Sequence, residues 1–246
     1  MNPSSSSTSV TVVTGGSAGI GEAVCRLLLA RGQHVINLDR NPPADASSAA
    51  QFIEVDLSDS RATVQVAAEL AKTHSVTRIV NNAGLNIPNL VQDVPLEHID
   101  LMASLHLKTP LILTQAFLPA MQAARFGRIV NIASRAVLGN THRSAYASTK
   151  AGMIGLTRTW ALELGQYGIT VNTVAPGMID TALMARTVPV DSPLRKTMTE
   201  RIAVKRIGTP DELAHAVGFF LDEGSSYVTG QTLYVCGGAS LGGAPL

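Results

Sequence analysis

Short runs of apolar, β-branched residues alternate along this chain with longer segments of helical periodicity, and that alternation leaves few folds open. The strand-like runs are Val10–Thr14, His34–Leu38, Gln51–Val55, Arg78–Asn81, Arg128–Ile132, Thr170–Val174 and Gln231–Val235. Helical patterns occupy Glu22–Ala30, Ser60–Lys72, Leu96–Arg125, Ala145–Tyr167 and Pro210–Asp222, the third long enough to expect a bend. Runs such as Ile129-Val130-Asn131-Ile132 suit strands covered on both sides. The pattern predicts an α/β, Rossmann-type fold: a doubly wound sheet of seven parallel strands with right-handed crossovers placing helices on both faces. Thr209-Pro210-Asp211-Glu212 marks one helix start firmly, with a capping threonine, proline at the first helical position and glutamate three residues after the cap. The stretch from Pro176 to about Arg206 lacks a regular pattern, and about 178–206 reads as a lid over a substrate. No repeat or linker divides the chain, so residues 10–246 are expected to form one catalytic domain after a flexible, Ser-rich segment over 1–9.

Composition removes several function classes. Lysine and arginine number 19 against 18 acidic residues, and aromatics are only 4%, so neither a field for phosphate backbones nor a base-stacking platform is present. Nucleic acid is not an expected partner. Lys108 interrupts the longest apolar candidate, Leu105–Met121, short of the ~18 residues that span a bilayer. With no basic and apolar leader at the N-terminus, the expectation is a cytoplasmic protein without a membrane partner. Two cysteines, Cys25 and Cys236, are too few for a disulfide framework or a zinc site, and no metal is expected.

The first strand ends in Thr14-Gly15-Gly16-Ser17-Ala18-Gly19-Ile20-Gly21 and runs directly into a helix. Glycines there let the backbone turn tightly and approach a pyrophosphate, whose charge rests on free amides at the helix start. Asp39 closes the next strand, where a carboxylate accepts hydrogen bonds from an adenosine ribose and repels a 2′-phosphate. NAD is therefore the expected cofactor, with NADP kept open by the adjacent Arg40. Tyr146 and Lys150 lie four apart on one helical face. An ammonium beside a phenol favours the phenolate, so the pair predicts an acid/base for an alcohol proton.

This glycine turn, Asn81-Asn82-Ala83-Gly84 after the fourth strand, Tyr146-Ala147-Ser148-Thr149-Lys150, Pro176-Gly177 after the sixth strand and Thr229-Gly230-Gln231 before the last together resemble the short-chain dehydrogenase/reductase family. The resemblance spans nearly the whole chain. It implies an NAD(P)-dependent oxidoreductase acting on an alcohol/carbonyl pair, usually a homotetramer, with a homodimer as the other state. It implies Tyr146 as acid/base, Ser134 as stabiliser of the substrate oxygen, and Lys150 as pKa modulator and ribose anchor. On the cofactor side it implies contacts from Gly15, Ser17, Gly19, Ile20 and Gly21 of the glycine turn, from Asp56-Leu57 against the adenine, from Asn82-Ala83-Gly84 along the cleft, from Pro176, Gly177 and Ile179, and from Thr181 on the nicotinamide side.

Two departures stand out. Where the family carries asparagine in a pattern like Asn-Leu-Lys-Ala-Pro-Phe, this chain reads His106-Leu107-Lys108-Thr109-Pro110-Leu111. His106 holds a relay water through an imidazole that titrates near neutrality unless its surroundings perturb it, or it only fills space, or the relay is impaired. Arg135, His142 and Arg143 surround the catalytic loop, and the two guanidiniums there either clamp an anionic secondary alcohol, a cyclic one included, or point to solvent or a subunit contact. The alternative reactions are an NADPH-dependent 3-oxoacyl-thioester reduction, or no turnover at all in an NAD(H)-sensing protein. Cys236-Gly237-Gly238 stands where relatives carry Asp-Gly-Gly, and the tail Gly237–Leu246 reads as an intersubunit element by resemblance.

Overall fold

The computed structural model describes residues 9–44 and 50–241. Its strands are β1 (Val10–Thr14), β2 (His34–Asp39), β3 (Gln51–Glu54), β4 (Val76–Asn81), β5 (Gly127–Ile132), β6 (Ile169–Pro176) and β7 (Thr232–Val235). All pair in parallel, in the order β3-β2-β1-β4-β5-β6-β7. The order reverses between β1 and β4, so the two halves diverge there and open a crevice above the carboxyl ends of the strands.

The helices are α1 (Gly19–Ala30), α2 (Ser60–Thr73), α3 (Leu96–Ala103), α4 (Thr109–Ala124), α5 (Ser144–Leu164), α6 (Ala182–Thr187), α7 (Pro193–Glu200) and α8 (Pro210–Leu221). The period of two along β1 divides its side chains between two cores. Val10 and Val12 join Leu70 of α2, Leu113, Phe117 and Met121 of α4, and Trp160 of α5. Val13 joins Val24 and Leu28 of α1, and Leu213, Val217 and Phe220 of α8. Helices thus seal both faces, as the apolar strands required. Each such side chain, removed from water, contributes roughly 1.5–3 kcal/mol.

At the opposite edge of the sheet, Arg78 and Arg128 pair in register on β4 and β5 and sandwich the Phe126 ring, at 4.7 and 4.3 Å from its centroid. The Leu221 and Asp222 carbonyls accept from these buried guanidiniums, and Arg78 also forms an ion pair with Glu223 at 3.4 Å. Ser9 bonds to Thr77 and accepts from Arg78 at 2.7 Å, so the last residue of the expected loose N-terminal segment is fixed; residues 1–8 lie outside the described residues.

Three boundaries differ from expectation. The first helix begins at Gly19 rather than Glu22, because the glycines wind into its first turn. A Cβ at Gly21 would lie 2.0 Å from the Gly15 carbonyl oxygen and 2.5 Å from Asn82 Nδ2, so no larger residue fits that contact. The long helical region divides into α3 and α4 at a π turn over Ser104–Lys108. Pro110 has no N–H to give, and the turn widens so that the Thr109 N–H reaches back to the Ser104 carbonyl. The supposedly irregular stretch contains α6 and α7, capped by Thr181 and Ser192. It is strapped down by Arg195–Asp180 at 2.8 Å, the Ile179–Gly208 bridge and the Val204 N–H to the Gly237 carbonyl.

Candidate active site

The crevice between β1 and β4 is stitched by side chains that the strands deliver. Thr14 Oγ1 accepts the amides of Asn82 and Ala83, both at 2.9 Å. Asn82 Nδ2 returns bonds to the Thr14 and Gly15 carbonyls at 3.0 and 2.9 Å. Asn37, buried in β2, accepts the Gly16 N–H at 2.8 Å and donates to Ser17 Oγ at 2.9 Å. The Ser17 N–H donates to Asp39 at 3.1 Å, and Asn41 donates to the other Asp39 oxygen at 3.1 Å. The turn is therefore rigid on three sides.

Its open side suits a dinucleotide. Ala18, at the start of α1, offers no side-chain acceptor to the first amides, whereas Asp59 caps α2 with bonds from Arg61 and Ala62. Gly15, at φ +66°, adopts a left-handed backbone beside Ala83, and a Cβ there would come within 3.0 Å of the Ala83 Cα. A Cβ on Gly19 would sit 3.3 Å from Thr181 Cγ2, which places Thr181 across from the glycine turn. Ile20 is half-buried and Arg40 exposed beside Asp39. Asp56 is exposed, and bonds from the Ser58 amide and hydroxyl hold its carboxyl below the usual range. Leu57 is buried, and its carbonyl accepts from Thr109 at 2.6 Å. Pro176 and Ile179 are buried near Gly177, which packs so closely on Cys236 that a Cβ would lie 2.7 Å away. Cys25 and Cys236 are both free and buried.

Ser134, Tyr146 and Lys150 meet at the carboxyl end of β5. Ser134 leaves that strand in extended backbone and caps the following turn through the Ala136 N–H. Tyr146 sits in the first turn of α5 with Lys150 one turn on, its Nζ 5.9 Å from the phenol ring centroid. Lys150 is 3% exposed and donates to the Ile132 carbonyl at 2.6 Å. A buried polar ladder holds α5 against the sheet: Asn81 donates to Asn131, Asn131 to Thr157, and the Thr157 and Thr173 hydroxyls share a bond.

Electrostatics correct one expectation. Burial raises the Tyr146 pKa, and the Ser134 hydrogen bond and the Arg143 charge oppose it only in part. Burial also pushes the Lys150 amine down to about 7, and its Nζ is turned to the Ile132 carbonyl. The ammonium therefore does not, by itself, convert Tyr146 to the phenolate.

His106 lies in the π turn, fully buried, with its ring edge-on to Tyr146 at 5.8 Å between centroids. Burial, with the charge of Lys150, pushes its pKa down to about 2, so its surroundings are of the kind that moves an imidazole away from neutrality. Both nitrogens are occupied: Nε2 accepts from the Leu85 N–H at 3.3 Å, and Nδ1 pairs with Thr149 Oγ1 at 2.9 Å.

The two arginines near the catalytic loop are engaged differently. Arg135 reaches the Ala239 carbonyl at 3.5 Å, toward the turn after β7. Arg143 stays near Tyr146, half-buried, with Nη1 on the His142 carbonyl at 3.2 Å. His142 is exposed, at φ +61°, and its carbonyl also accepts the Asn89 N–H at 3.2 Å. Sequence reasoning missed Thr14, Asn37 and Thr149. The signal for Asn37 was present, an amide side chain inside an otherwise apolar strand; Thr14 and Thr149 carried none.

A family model described as enoyl-(acyl carrier protein) reductase matches residues 15–240. The 3-oxoacyl-[acyl-carrier-protein] reductase FabG of Rickettsia conorii is 35% identical over 92% of this chain and 95% of that protein. The (2S)-[(R)-hydroxy(phenyl)methyl]succinyl-CoA dehydrogenase subunit BbsD of Thauera aromatica is 42% identical over 163 residues, which are 66% of this chain and 64% of that subunit. A Beutenbergia cavernae protein, provisionally assigned as an NAD(P)-dependent gluconate 5-dehydrogenase and holding NADP at low occupancy, superposes with a TM-score of 0.89 at 34% identity, covering 98% of this chain and all of that one. The ligand-free aldohexose dehydrogenase of Thermoplasma acidophilum gives a TM-score of 0.89 at 29% identity over 97% of this chain and 96% of that one.

Proposed function

The chain belongs to the short-chain dehydrogenase/reductase family of NAD(P)-dependent oxidoreductases that interconvert CH–OH and carbonyl groups, and from that premise we propose that it prefers NAD(H) and acts on a secondary alcohol/ketone pair bearing an acidic group. The observation that carries the reading is the meeting of Ser134, Tyr146 and Lys150 beside the β1–β4 crevice. Free amides at the start of α1, the glycine turn and Asn82-Ala83-Gly84 would hold the dinucleotide, with Asp39 at its ribose and Thr181 toward the nicotinamide. When bound, the nicotinamide supplies or accepts the hydride at the carbinol carbon. Ser134 donates a hydrogen bond to the substrate oxygen. Tyr146, kept protonated by burial, gives its proton to a ketone oxygen during reduction and takes one back during oxidation.

Asp39 favours NAD because a 2′-phosphate there would face a carboxylate whose two oxygens are fixed by the Ser17 and Asn41 amides. Arg143 favours an anionic substrate: its charge faces the phenol, and no carboxylate forms an ion pair with it among the described residues. The provisional gluconate assignment of the Beutenbergia protein points the same way. The second reading, an NADPH-dependent 3-oxoacyl-thioester reductase, draws on the FabG likeness.

The test is a spectrophotometric screen of NAD and NADP with acidic and neutral secondary alcohols, their ketones and a 3-oxoacyl thioester. Turnover with NAD(H) on acidic substrates is expected, and Arg143→Ala should raise KM for those by about tenfold, a loss of ~1.4 kcal/mol, while sparing neutral ones. Faster thioester reduction with NADPH would transfer the assignment to the second reading. Cofactor binding without turnover on any substrate would make the protein a sensor. We also infer a cytoplasmic homo-oligomer, tetramer ahead of dimer. Leu162 on α5 is 86% exposed, Tyr227 fully so, and among the described residues no helix is long and apolar enough to cross a membrane. Light scattering should return a multiple of the 25.8 kDa chain, and a monomer would overturn that part.

A further inference from the structure

We propose that His106 is a positioning residue, a hydrogen-bonded bolt that fixes the Gly84–Leu85 turn to helix α5 and so sets the cofactor-binding edge against Tyr146 and Lys150. The inference rests on the reading of that pair as the reacting groups. Its basis is geometry at one point in the fold. The His106 ring, wholly enclosed, receives the Leu85 N–H on Nε2 at 3.3 Å. An Nε2 that accepts leaves the ring proton on Nδ1, which therefore donates to Thr149 Oγ1 at 2.9 Å. Thr149 in turn donates to the Ala145 carbonyl at 3.0 Å, within the first turn of α5. A chain of three bonds thus runs from the turn after β4, through the π turn, into the helix that carries Tyr146 and Lys150.

The packing around this chain is tight. A Cβ placed on Gly84 would meet His106 Nε2 at 3.1 Å and Lys150 Nζ at 3.3 Å, so the glycine, the imidazole and the amine converge on one small volume. The edge-on contact between the His106 and Tyr146 rings, 5.8 Å between centroids and 80° between planes, closes the other side. The π turn provides the reach. The Ser104–Lys108 widening, imposed where Pro110 lacks an N–H, carries position 106 into this gap.

A proton relay through the imidazole is the competing role. It requires a ring nitrogen free to take a proton, and both are engaged by protein groups. The titratable groups facing the ring are Tyr146 and Lys150 of α5, and Lys108 is the other charged group on its own turn. A positive charge on the ring would stand beside the Lys150 amine, and no carboxylate among the described residues acts on it.

The test compares three variants by dinucleotide affinity, read from fluorescence titration and independent of turnover. His106→Gln places a carboxamide near the Nε2 position and keeps the bond to Leu85. His106→Asn reaches only the Nδ1 position and keeps Thr149. His106→Phe fills the ring space and makes neither bond. The Phe variant should bind NAD about tenfold more weakly, the weight of one to two buried hydrogen bonds, and the Gln variant should recover most of that loss. Affinity of the Phe variant within about twofold of the original would overturn the proposal. Should that variant fail to fold, equal affinities for the Gln and Asn variants would overturn it as well. In the protein without cofactor, nitrogen-15 spectra of the histidine should show a fixed Nδ1–H tautomer from about pH 5 to about pH 9, and protonation of His106 within that span would restore the relay. A failed acid/base reading would show itself separately, as turnover that survives loss of the phenol.

Discussion

Tyr146→Phe should lower kcat by about 10²–10⁴ while dinucleotide affinity changes less than about threefold, because the substitution removes a proton donor and little else. The ring keeps its place: it packs edge-on against His106, and its helix is held by the Asn81–Asn131–Thr157–Thr173 ladder rather than by the hydroxyl. What disappears is the group that carries the proton between the substrate oxygen and the protein. The sign of its pKa shift fixes the pH dependence. Burial raises the phenol's pKa, so the protonated form, which serves ketone reduction, persists through neutral pH. Alcohol oxidation needs the phenolate and should climb with pH toward the alkaline side. The climb should vanish in the Phe variant. Steady-state rates in both directions and a fluorescence titration with NAD check this. A loss below about fivefold would remove Tyr146 from the proton path and leave the acid/base unassigned.

The sheet and its helices were legible because punctuation agreed with periodicity. The capping box at Thr209–Glu212 forms as the four residues dictate, and the unbroken burial of β1, β4, β5 and β6 follows from their apolar runs. Helix α7 was legible in principle: Ser192 before Pro193 is a cap followed by a first-turn proline, a signal obscured by its short length. The spacing of Tyr146 and Lys150 gave their shared helical face, but it did not give the direction of the phenol's shift. That direction depends on how deeply α5 is buried and on the Ile132 carbonyl that turns the amine aside, both consequences of β5 lying alongside. His106 is the same case. Its residue type allows titration at neutrality, and only the enclosure made by Leu85, Thr149 and Lys150 forbids it. Pairings distant in sequence, such as Thr14 with Asn82 or Asp180 with Arg195, leave no local pattern at all.

Lys150→Met should lower kcat by about 10² or more and at the same time make the fold more stable at pH 6. The amine is fully enclosed, donates to the Ile132 carbonyl and the Met153 sulfur, and has no carboxylate within ion-pair distance among the described residues. Burial alone lowers its pKa from 10.5 to about 7. At ~1.4 kcal/mol per pKa unit, the buried ammonium costs about 5 kcal/mol at most below neutrality. The linkage has a definite sign. Between about pH 7 and 10.5 the unfolded chain holds this proton and the folded chain has released it, so stability rises with pH across that window. Below pH 7 both states are protonated and the full penalty persists. A methionine of similar length carries no charge to desolvate, although it leaves the Ile132 carbonyl without its donor. The net gain at pH 6 should be about 2–4 kcal/mol, which for a chain of this size raises Tm by roughly 4–16 °C. By pH 10 the gain should be gone or reversed, as the original protein recovers about 4 kcal/mol of its deficit. Thermal melts of both proteins at the two pH values decide the matter. A Met variant no more stable at pH 6, with the pH slope of stability unchanged, would mean that the amine is solvated.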